Sequence, residues 1–253
     1  MNPARKPLIV GNWKMHKTIA ETRAFIAAVR ALPLPLDRVD AVVCPPFTAL
    51  AAASDGLQGS RIGLGAQNMN WAESGPYTGE ISPLMLVDVG VTWVVLGHSE
   101  RRALFGELDE RVNEKVRSAL QHQITPIVAV GETADEHAAG LAREKVESQV
   151  QAALRGLDAH DVARCVVAYE PIWAIGSGTP DSPESANAIM GAIRAAVPGL
   201  DAVRMLYGGS MNSQNVRAFT AQPQIDGGLV GGASLDPKSF AALLDGALRS
   251  VEA

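Results

Sequence analysis

The stretch CVVAYEPIWAIGSGTP, residues 165–180, combines a strand signal with a reactive group and a loop signal. A continuous apolar run leads to a lone carboxylate, Glu170, and Pro-Ile-Trp follows at 171–173. The next residues, 174–178, are mostly small. This order predicts a buried strand that ends in an acid, followed by a loop able to close over that acid. A base below such a lid is typical of a catalytic site.

The same organisation recurs along the 253 residues: a short run rich in valine and isoleucine, then a loop, then a segment of helical period. Because these runs are continuous rather than alternating, we expect parallel strands that are covered on both faces. The expected strands are residues 7–11, 41–44, 62–65, 92–96, 124–130, 165–169, 203–207 and 227–230.

Capping residues mark several helix starts between the runs. Thr18 and Glu21 have the spacing of a capping box. The pairs 182–183 and 236–237, Ser-Pro and Asp-Pro, each predict an N-cap followed by proline at the first helical position.

Eight strands that alternate with about as many helices predict an α/β fold, the (β/α)8 barrel. We found no linker or shift in composition, so residues 1–253 are expected to form a single domain. A doubly wound open sheet is the alternative. It would place GxGxxG after the first strand, where residues 11–14 read GNWK instead.

Composition and charge restrict the partners. The formal net charge of −5 argues against a nucleic acid or an anionic membrane. The most apolar stretch, 84–96, is interrupted by Asp88 and is too short for a membrane span. Cys44 and Cys165 lie in apolar runs, so we expect buried free thiols, which suit a reducing compartment. The expected location is cytoplasmic.

The barrel hypothesis indicates where chemistry should occur, because barrel enzymes use residues just beyond the carboxyl ends of the strands. Four polar side chains meet this condition: Asn12, Lys14, His98 and Glu170. Three glycine-rich turns meet it too, at 176–178, 208–210 and 231–232. Glycines there allow backbone N–H groups to approach an anion, and barrels commonly bind phosphate after the last two strands.

Each of these residues has an ordinary structural interpretation when taken singly. Taken alone, Lys14 is best interpreted as a solvated surface charge. His98 alone is equally well interpreted as a residue at the start of a helix. Glu170 alone is typical of a strand-end carboxylate without a task. Their joint placement at strand ends of one barrel favours a site.

The absence of other motifs narrows the chemistry. The chain has no HExxH, CxxC, Walker A or GxSxG sequence, so we expect neither a metal nor a cofactor. A base, a neutral hydrogen-bond donor, a cation and a phosphate cradle suit proton transfer next to the carbonyl of a small phosphorylated sugar. A lid would exclude water from the enediolate intermediate.

Seven segments carry a family resemblance. They are GNWKMHK at 11–17, GAQNMN at 65–70, GHSERR at 97–102, VGE at 130–132, AYEPIWAIGSG at 168–178, YGGS at 207–210 and LVGGASL at 229–235. On these segments the chain resembles the triosephosphate isomerase family over essentially its whole length. The resemblance implies a cofactor-independent aldose–ketose isomerase that interconverts dihydroxyacetone phosphate and D-glyceraldehyde 3-phosphate in glycolysis and gluconeogenesis.

The resemblance also implies catalytic roles. Glu170 would be the base that moves a proton between two carbons of the substrate, and His98 would be a neutral electrophile. Lys14 would stabilise negative charge, and Asn12 would hydrogen-bond substrate oxygens. Glu100 would pair with Lys14 and position it.

Further roles follow from the resemblance by position. Ser99, Glu100 and Tyr207 would support the site. Ser210 and Tyr207 would latch the closed lid at the backbone of Gly178 and Asp181. The implied substrate and phosphate contacts are Asn12, Lys14, Gly176, Ser210, Leu229, Gly231 and Gly232. The implied lid hinges are Pro171, Ile172, Trp173, Thr179, Pro180 and Asp181.

A homodimer is implied as well. The loop 68–80 carries Trp71 and Tyr77, which are too apolar to remain comfortably in solvent. By family likeness Thr78 would reach toward Asn12 of the partner subunit. The alternative is a mobile surface loop.

The second hinge departs from the family pattern. It usually reads Lys-Thr-Ala or similar, but residues 179–181 are Thr-Pro-Asp here. Because proline fixes φ at position 180, we expect changed lid kinetics with the chemistry retained.

Two other functions compete with the isomerase. An aldolase-like lyase on the same barrel would use a desolvated lysine as a Schiff base, whereas Lys14 next to Glu100 is better interpreted as a permanent cation. A catalytically inactive, dimeric phosphate-binding protein would be expected to lack Glu170, His98 or Lys14, and all three are present.

Overall fold

A computed structural model describes residues 5–176 and 180–248 of the chain. Eight parallel strands follow one another around a closed barrel, which confirms the predicted fold class. Every observed strand end lies within one residue of the predicted one. The strands are β1 (Leu8–Asn12), β2 (Asp40–Cys44), β3 (Gly63–Ala66), β4 (Trp93–Leu96), β5 (Thr125–Val130), β6 (Val166–Tyr169), β7 (Arg204–Tyr207) and β8 (Gly227–Val230).

Helices surround the barrel, and the predicted caps are present. Thr18 and Glu21 form the capping box, and Ser182 and Asp236 each cap a helix whose first residue is proline. In the described residues the helices are α1 (Ile19–Arg30), α2 (Leu50–Leu57), α3 (Pro83–Asp88), α4 (Ser99–Phe105), α5 (Asp109–Gln121), α6 (Ala134–Ala138), α7 (Ala142–Ala153), α8 (Ala159–Ala163), α9 (Pro183–Ala196), α10 (Val216–Thr220) and α11 (Pro237–Gly246).

The strands bury both of their faces, as their continuous apolar runs predict. Leu8 and Val10 belong to a small cluster that fills the barrel, whereas Ile9 between them packs in the larger layer below the helices. Both cysteines are buried and free, and burial raises the pKa of each thiol to about 12. No helix in the described ranges has the length and apolarity needed to cross a membrane.

A buried ion cluster closes the amino end of the barrel. Asp226 stands immediately before β8 and is fully buried. Its carboxylate accepts hydrogen bonds from Arg5 Nε at 3.0 Å, Arg194 Nη2 at 3.3 Å and the backbone N–H of Met205 at 3.0 Å. One side chain thereby joins the N-terminal segment, α9 and the start of β7, at the end of the barrel opposite to the predicted site.

We expect Asp226→Asn to lower the free energy of unfolding by about 3–5 kcal/mol, because both guanidinium groups would remain buried without their carboxylate. Urea unfolding followed by circular dichroism, at one fixed protein concentration, measures the change. Asp88→Asn is the matched control, since Asp88 is exposed, and its expected change is below about 0.5 kcal/mol. Equal effects of the two substitutions would show that the cluster does not stabilise the barrel.

Candidate active site

A cavity of about 350 Å³ opens at the carboxyl ends of the strands. Its walls come from the loops after β1, β4, β6, β7 and β8, where the strand-end rule predicted a site. The residues predicted from the sequence that line it are Asn12, Lys14, His98, Glu170, Gly176, Pro180, Ser210, Leu229, Gly231 and Gly232.

Other predicted residues lie outside this lining. Ser99 and Glu100 are each hydrogen-bonded to a residue that lines the cavity. Thr78 is exposed in the loop 68–80. The predicted hinge residue Thr179 and the predicted latch partner Gly178 fall outside the described residues.

Close packing fixes the position of Glu170 directly after β6. The side chain is 2% exposed, and its backbone N–H donates to the carbonyl of Val130 at 2.8 Å. Two neighbouring glycines make this position possible. A Cβ at Gly131 would lie 1.8 Å from the carbonyl oxygen of Glu170, and one at Gly208 would lie 2.8 Å from its Cγ. Any larger residue there would displace the acid.

The carboxylate of Glu170 is held by two donors. Its Oε1 lies 2.9 Å from His98 Nε2, and its Oε2 accepts the backbone N–H of Ser99 at 2.8 Å. Burial raises the pKa of Glu170, but the attraction of His98 and the hydrogen bonds from His98 and Ser99 lower it by more. The net direction is a lowered pKa, so the group is an ionised carboxylate at neutral pH.

His98 is the N-cap of α4. Its Nδ1 accepts the backbone N–H of Glu100 at 3.2 Å, so Nε2 carries the hydrogen of the neutral ring and donates it to Glu170. Burial lowers the pKa of His98, while the charge of Glu170, the hydrogen bond to it and the charge of Glu100 together raise this pKa by more, so the net direction is upward. The backbone N–H at Nδ1 opposes this rise, because an imidazolium has no acceptor nitrogen to offer it.

Lys14 has a strained backbone that its neighbours stabilise. Its φ of 51° is in the left-handed region, which is uncommon for a residue other than glycine. Its backbone N–H donates to Asn12 Oδ1 at 3.1 Å, and its carbonyl accepts from Gln67 Nε2 at 2.9 Å. Its ammonium group pairs with Glu100 at 2.6 Å. Strain of this kind is typical of functional sites.

The predicted phosphate cradle lies in the loops after β7 and β8, which line the same cavity. A short 3-10 turn, Gly232–Ser234, begins there, and the first amides of such a turn make no hydrogen bond within it. A Cβ on Gly231 would stand 3.5 Å from Lys14 Cε, so the cation lies beside the cradle. The hydroxyl of Ser210 donates to the carbonyl of Ala174 at 2.7 Å. These groups suit a small anion.

The described ends of the predicted lid segment are attached to the barrel. Asp181 donates its backbone N–H to the hydroxyl of Tyr207 at 3.0 Å, the pair that the resemblance implied. At the other end, Trp173 Nε1 donates to Glu132 Oε1 at 2.7 Å, and the hydroxyl of Tyr169 donates to the same oxygen at 3.1 Å.

Glu132 is a residue that the sequence analysis did not assign to the site. It is fully buried, and its Oε1 lies 3.4 Å from Nδ1 of His137, whose ring packs at a tilt against Trp173 with the ring centroids 4.3 Å apart. The available signal was the VGE segment at 130–132. It places an acid just after β5, where the strand-end rule applies equally.

One group of potential metal ligands lies away from the cavity, at the start of α8. Asp158, His160 and Asp161 bring three ligand atoms within 4.8 Å of one another, the only such group in the described part of the chain. Asp158 already accepts the backbone N–H of Asp161, and Asp161 pairs with Arg164 at 3.2 Å. Because both carboxylates have protein partners at an exposed helix start, we infer no metal site there.

Comparisons with known proteins agree with this geometry. A family model described as triosephosphate isomerase matches residues 7–247. A triosephosphate isomerase of Symbiobacterium thermophilum is 53% identical over 245 residues, 94% of this chain and 96% of that protein. Those of Carboxydothermus hydrogenoformans and Caldanaerobacter subterraneus subsp. tengcongensis are 45% and 46% identical. The match to the Carboxydothermus protein covers 96% of this chain and 100% of that protein. The match to the Caldanaerobacter protein covers 95% of this chain and 99% of that protein.

We expect His98→Asn to raise the pKa of Glu170 in the ligand-free protein. The substitution removes the attraction that lowers this pKa, while burial, which raises it, remains. Asparagine is itself a good N-cap, so α4 should still begin at the same residue. Carboxyl-carbon NMR of isotope-labelled glutamate, recorded from acid to neutral pH, gives the titration.

A raised pKa means that the ionised base is lost at a higher pH as the solution is acidified. His160→Asn is the control, since His160 is exposed, and it should leave the titration of Glu170 in place. An unchanged or lowered pKa in His98→Asn would contradict the electrostatic coupling.

Proposed function

Because the chain belongs to the triosephosphate isomerase family, we propose that it interconverts dihydroxyacetone phosphate and D-glyceraldehyde 3-phosphate by proton transfer through an enediolate. The observation that carries this proposal is the 2.9 Å contact between His98 Nε2 and Glu170 inside the cavity. A base and a proton-bearing imidazole stand side by side there, and Lys14 lines the same cavity. The reaction belongs to glycolysis and gluconeogenesis, and we place the enzyme in the cytoplasm.

The substrate is held at its two ends. Its phosphate binds at the amides of Gly176, Ser210, Gly231 and Gly232, beside Leu229. Its carbonyl and hydroxyl oxygens face Asn12, Lys14 and His98. This orientation places the two carbons that exchange a proton next to Glu170, and the cavity of about 350 Å³ suits a molecule of this size.

Binding would strengthen the base. In the ligand-free site the Nε2 hydrogen of His98 is donated to Glu170, and this interaction lowers the pKa of the acid. The same hydrogen must polarise the substrate carbonyl, so the substrate takes the donor away from Glu170. The carboxylate then loses the hydrogen bond from His98, which lowered its pKa. Glu170 therefore becomes a stronger base at the stage when it has to accept the proton from the substrate.

Each remaining group stabilises the charge that develops. Proton removal by Glu170 moves negative charge onto the substrate oxygens, where His98 donates a hydrogen bond and Lys14 supplies a positive charge. The ion pair between Lys14 and Glu100, at 2.6 Å, favours a permanently charged ammonium. A Schiff-base lyase needs a neutral amine, so this pair favours the isomerase over the lyase.

The homodimer is supported by exposed apolar surface next to the site. Met15 directly follows Lys14 in the loop after β1 and is 94% exposed in the single chain. In the loop 68–80, Trp71 packs against Tyr77 with the ring centroids 5.7 Å apart, and the next residue, Thr78, is exposed. A second copy of the chain would cover these residues and bring Thr78 toward Asn12 of the partner subunit.

We expect Glu170→Gln to lower kcat for glyceraldehyde 3-phosphate by ~10²–10⁴-fold, because the amide cannot accept the carbon-bound proton. Turnover is followed without added metal or cofactor, and inhibition by inorganic phosphate is followed in parallel and should persist. Glu144→Gln, at an exposed glutamate, is the control with unchanged turnover. A folded wild-type protein that binds phosphate without turnover would favour the inactive binding protein instead.

We expect Thr78→Arg to shift the protein toward monomers in sedimentation velocity and to lower kcat/KM at the same time. The larger, charged side chain would not fit against the partner's Asn12, and that site would lose its support. Leu141→Arg adds the same charge at an exposed residue before α7 and should change neither quantity. A wild-type chain that sediments as a monomer at the assay concentration would refute the dimer.

A further inference from the structure

We propose that Met211 and Gly228 act as a pair of positioning residues for the phosphate cradle. Met211, in the loop after β7, places its thioether where a side chain on Gly228 of β8 would stand. The contact sets the spacing between the two loops that hold the phosphate. The inference rests on the proposed function and adds to it two residues that no family motif assigns.

The fit between the two residues is tight. A Cβ added to Gly228 would lie 2.3 Å from Met211 Sδ and 3.1 Å from its Cε, and it would also lie 3.2 Å from Val230 Cγ2. No real Cβ tolerates the first of these distances, so the thioether occupies the space that glycine leaves. Met211 is 5% exposed, and it lines the cavity. The side chain is therefore enclosed by β8 behind it and by the site in front of it.

This contact crosses a seam of the barrel where backbone pairing is sparse. β7 and β8 are in register at one described position, Tyr207 with Gly228, whereas β1 and β2 are in register at five. Gly228 is thus the residue of β8 that pairs with Tyr207 of β7 and also the residue against which the thioether of Met211 packs. A side chain packed into this position supplies cohesion that the short ladder lacks.

The contact is also connected to the cradle on both strands. On the β7 side, Met211 directly follows Ser210, whose carbonyl is held by Asn215 Nδ2 at 3.0 Å. On the β8 side, Gly228 directly precedes Leu229, and Gly231 lies two residues after Leu229. The hydrogen bond from Asn215 fixes the carbonyl of Ser210, and the packing of Met211 against Gly228 fixes the residue that follows Ser210. Moving the thioether would move the hydroxyl and amide of Ser210 relative to Gly231.

The direction of that movement follows from the surroundings. An added methyl group at Gly228 meets a flexible thioether first and a β8 side chain second. Because the strand stands behind Met211, the displaced side chain has the cavity in front of it as free space. The displaced side chain of Met211 would narrow the cavity next to the phosphate cradle. It would also increase the distance between the loops after β7 and β8.

The test is Gly228→Ala in the full-length enzyme, with inorganic phosphate as the probe. We expect the inhibition constant of phosphate and KM for glyceraldehyde 3-phosphate to rise roughly tenfold, with kcat little changed. Met211→Ala added to Gly228→Ala removes the obstructing atoms, and the alanine methyl group at 228 occupies part of the space that the thioether filled, so most of the phosphate affinity should be recovered. A double variant no better than Gly228→Ala would overturn the pairing.

Gly246→Ala is a matched control for crowding. A Cβ at Gly246, the last residue of α11, would lie 2.5 Å from Val216 Cγ1, so the steric conflict is of similar severity. We expect it to lower the melting temperature and to leave KM and phosphate inhibition unchanged. If Gly228→Ala behaves in the same way, the contact is merely structural and the proposal is wrong.

Two further outcomes separate this proposal from the function itself. If Gly228→Ala does not fold, Met211→Ala alone decides the matter, because it removes the same contact without a clash; an unchanged KM would overturn the proposal. A wild-type protein without phosphate binding or turnover overturns the proposed function, and this inference with it. Normal wild-type turnover with an unaffected Gly228→Ala variant overturns the inference alone.

Discussion

The carboxylate of Glu170 is the constraint on which the site depends. A carboxylate that is 2% exposed stays ionised only if donors offset the loss of its hydration. Two donors from one helix start supply this, the Nε2 hydrogen of His98 and the backbone N–H of Ser99. They lie at the start of α4, after β4, whereas the acid follows β6, so the parallel order β4–β5–β6 is needed to bring them together. The glycines beside Glu170 exist to permit that approach.

The same steric logic recurs around the cavity. Gly208 leaves room for Glu170, and Gly228 leaves room for Met211, so in each case a glycine in or just after one strand makes room for a side chain that follows the preceding strand. Catalysis requires distances correct to a fraction of an ångström. Packing a large group into a space of matching shape provides such precision without further hydrogen bonds. The barrel wall therefore encloses the cavity and also determines the distances between the groups that line it.

The sequence predicts local features well and long-range complementarity poorly. Strand ends were correct to within one residue because continuous apolar runs are bounded by loop residues, and the caps of α1, α9 and α11 are encoded within three positions. The five-residue helix α6 is too short to show a period. Asn12, Lys14, His98 and Glu170 follow from the strand-end rule, since a barrel makes such residues converge. The same rule points to Glu132 after β5, but its partners Tyr169 and Trp173 are distant in sequence, as are the two residues of the Met211–Gly228 contact, and no local pattern predicts such pairs.

The attachment of the chain on either side of the predicted lid has an energetic consequence for the closure that we propose. Trp173 is bound to Glu132 beyond β5, and Asp181 is bound to the hydroxyl of Tyr207 in β7. Pro171 and Pro180 restrict φ next to these anchors. Each residue that is already fixed before the substrate arrives spares closure about 1–2 kcal/mol of backbone entropy. Because both anchors are fixed before any ligand binds, no binding energy is needed to order them, and more of it would remain available to position a phosphorylated substrate against Glu170.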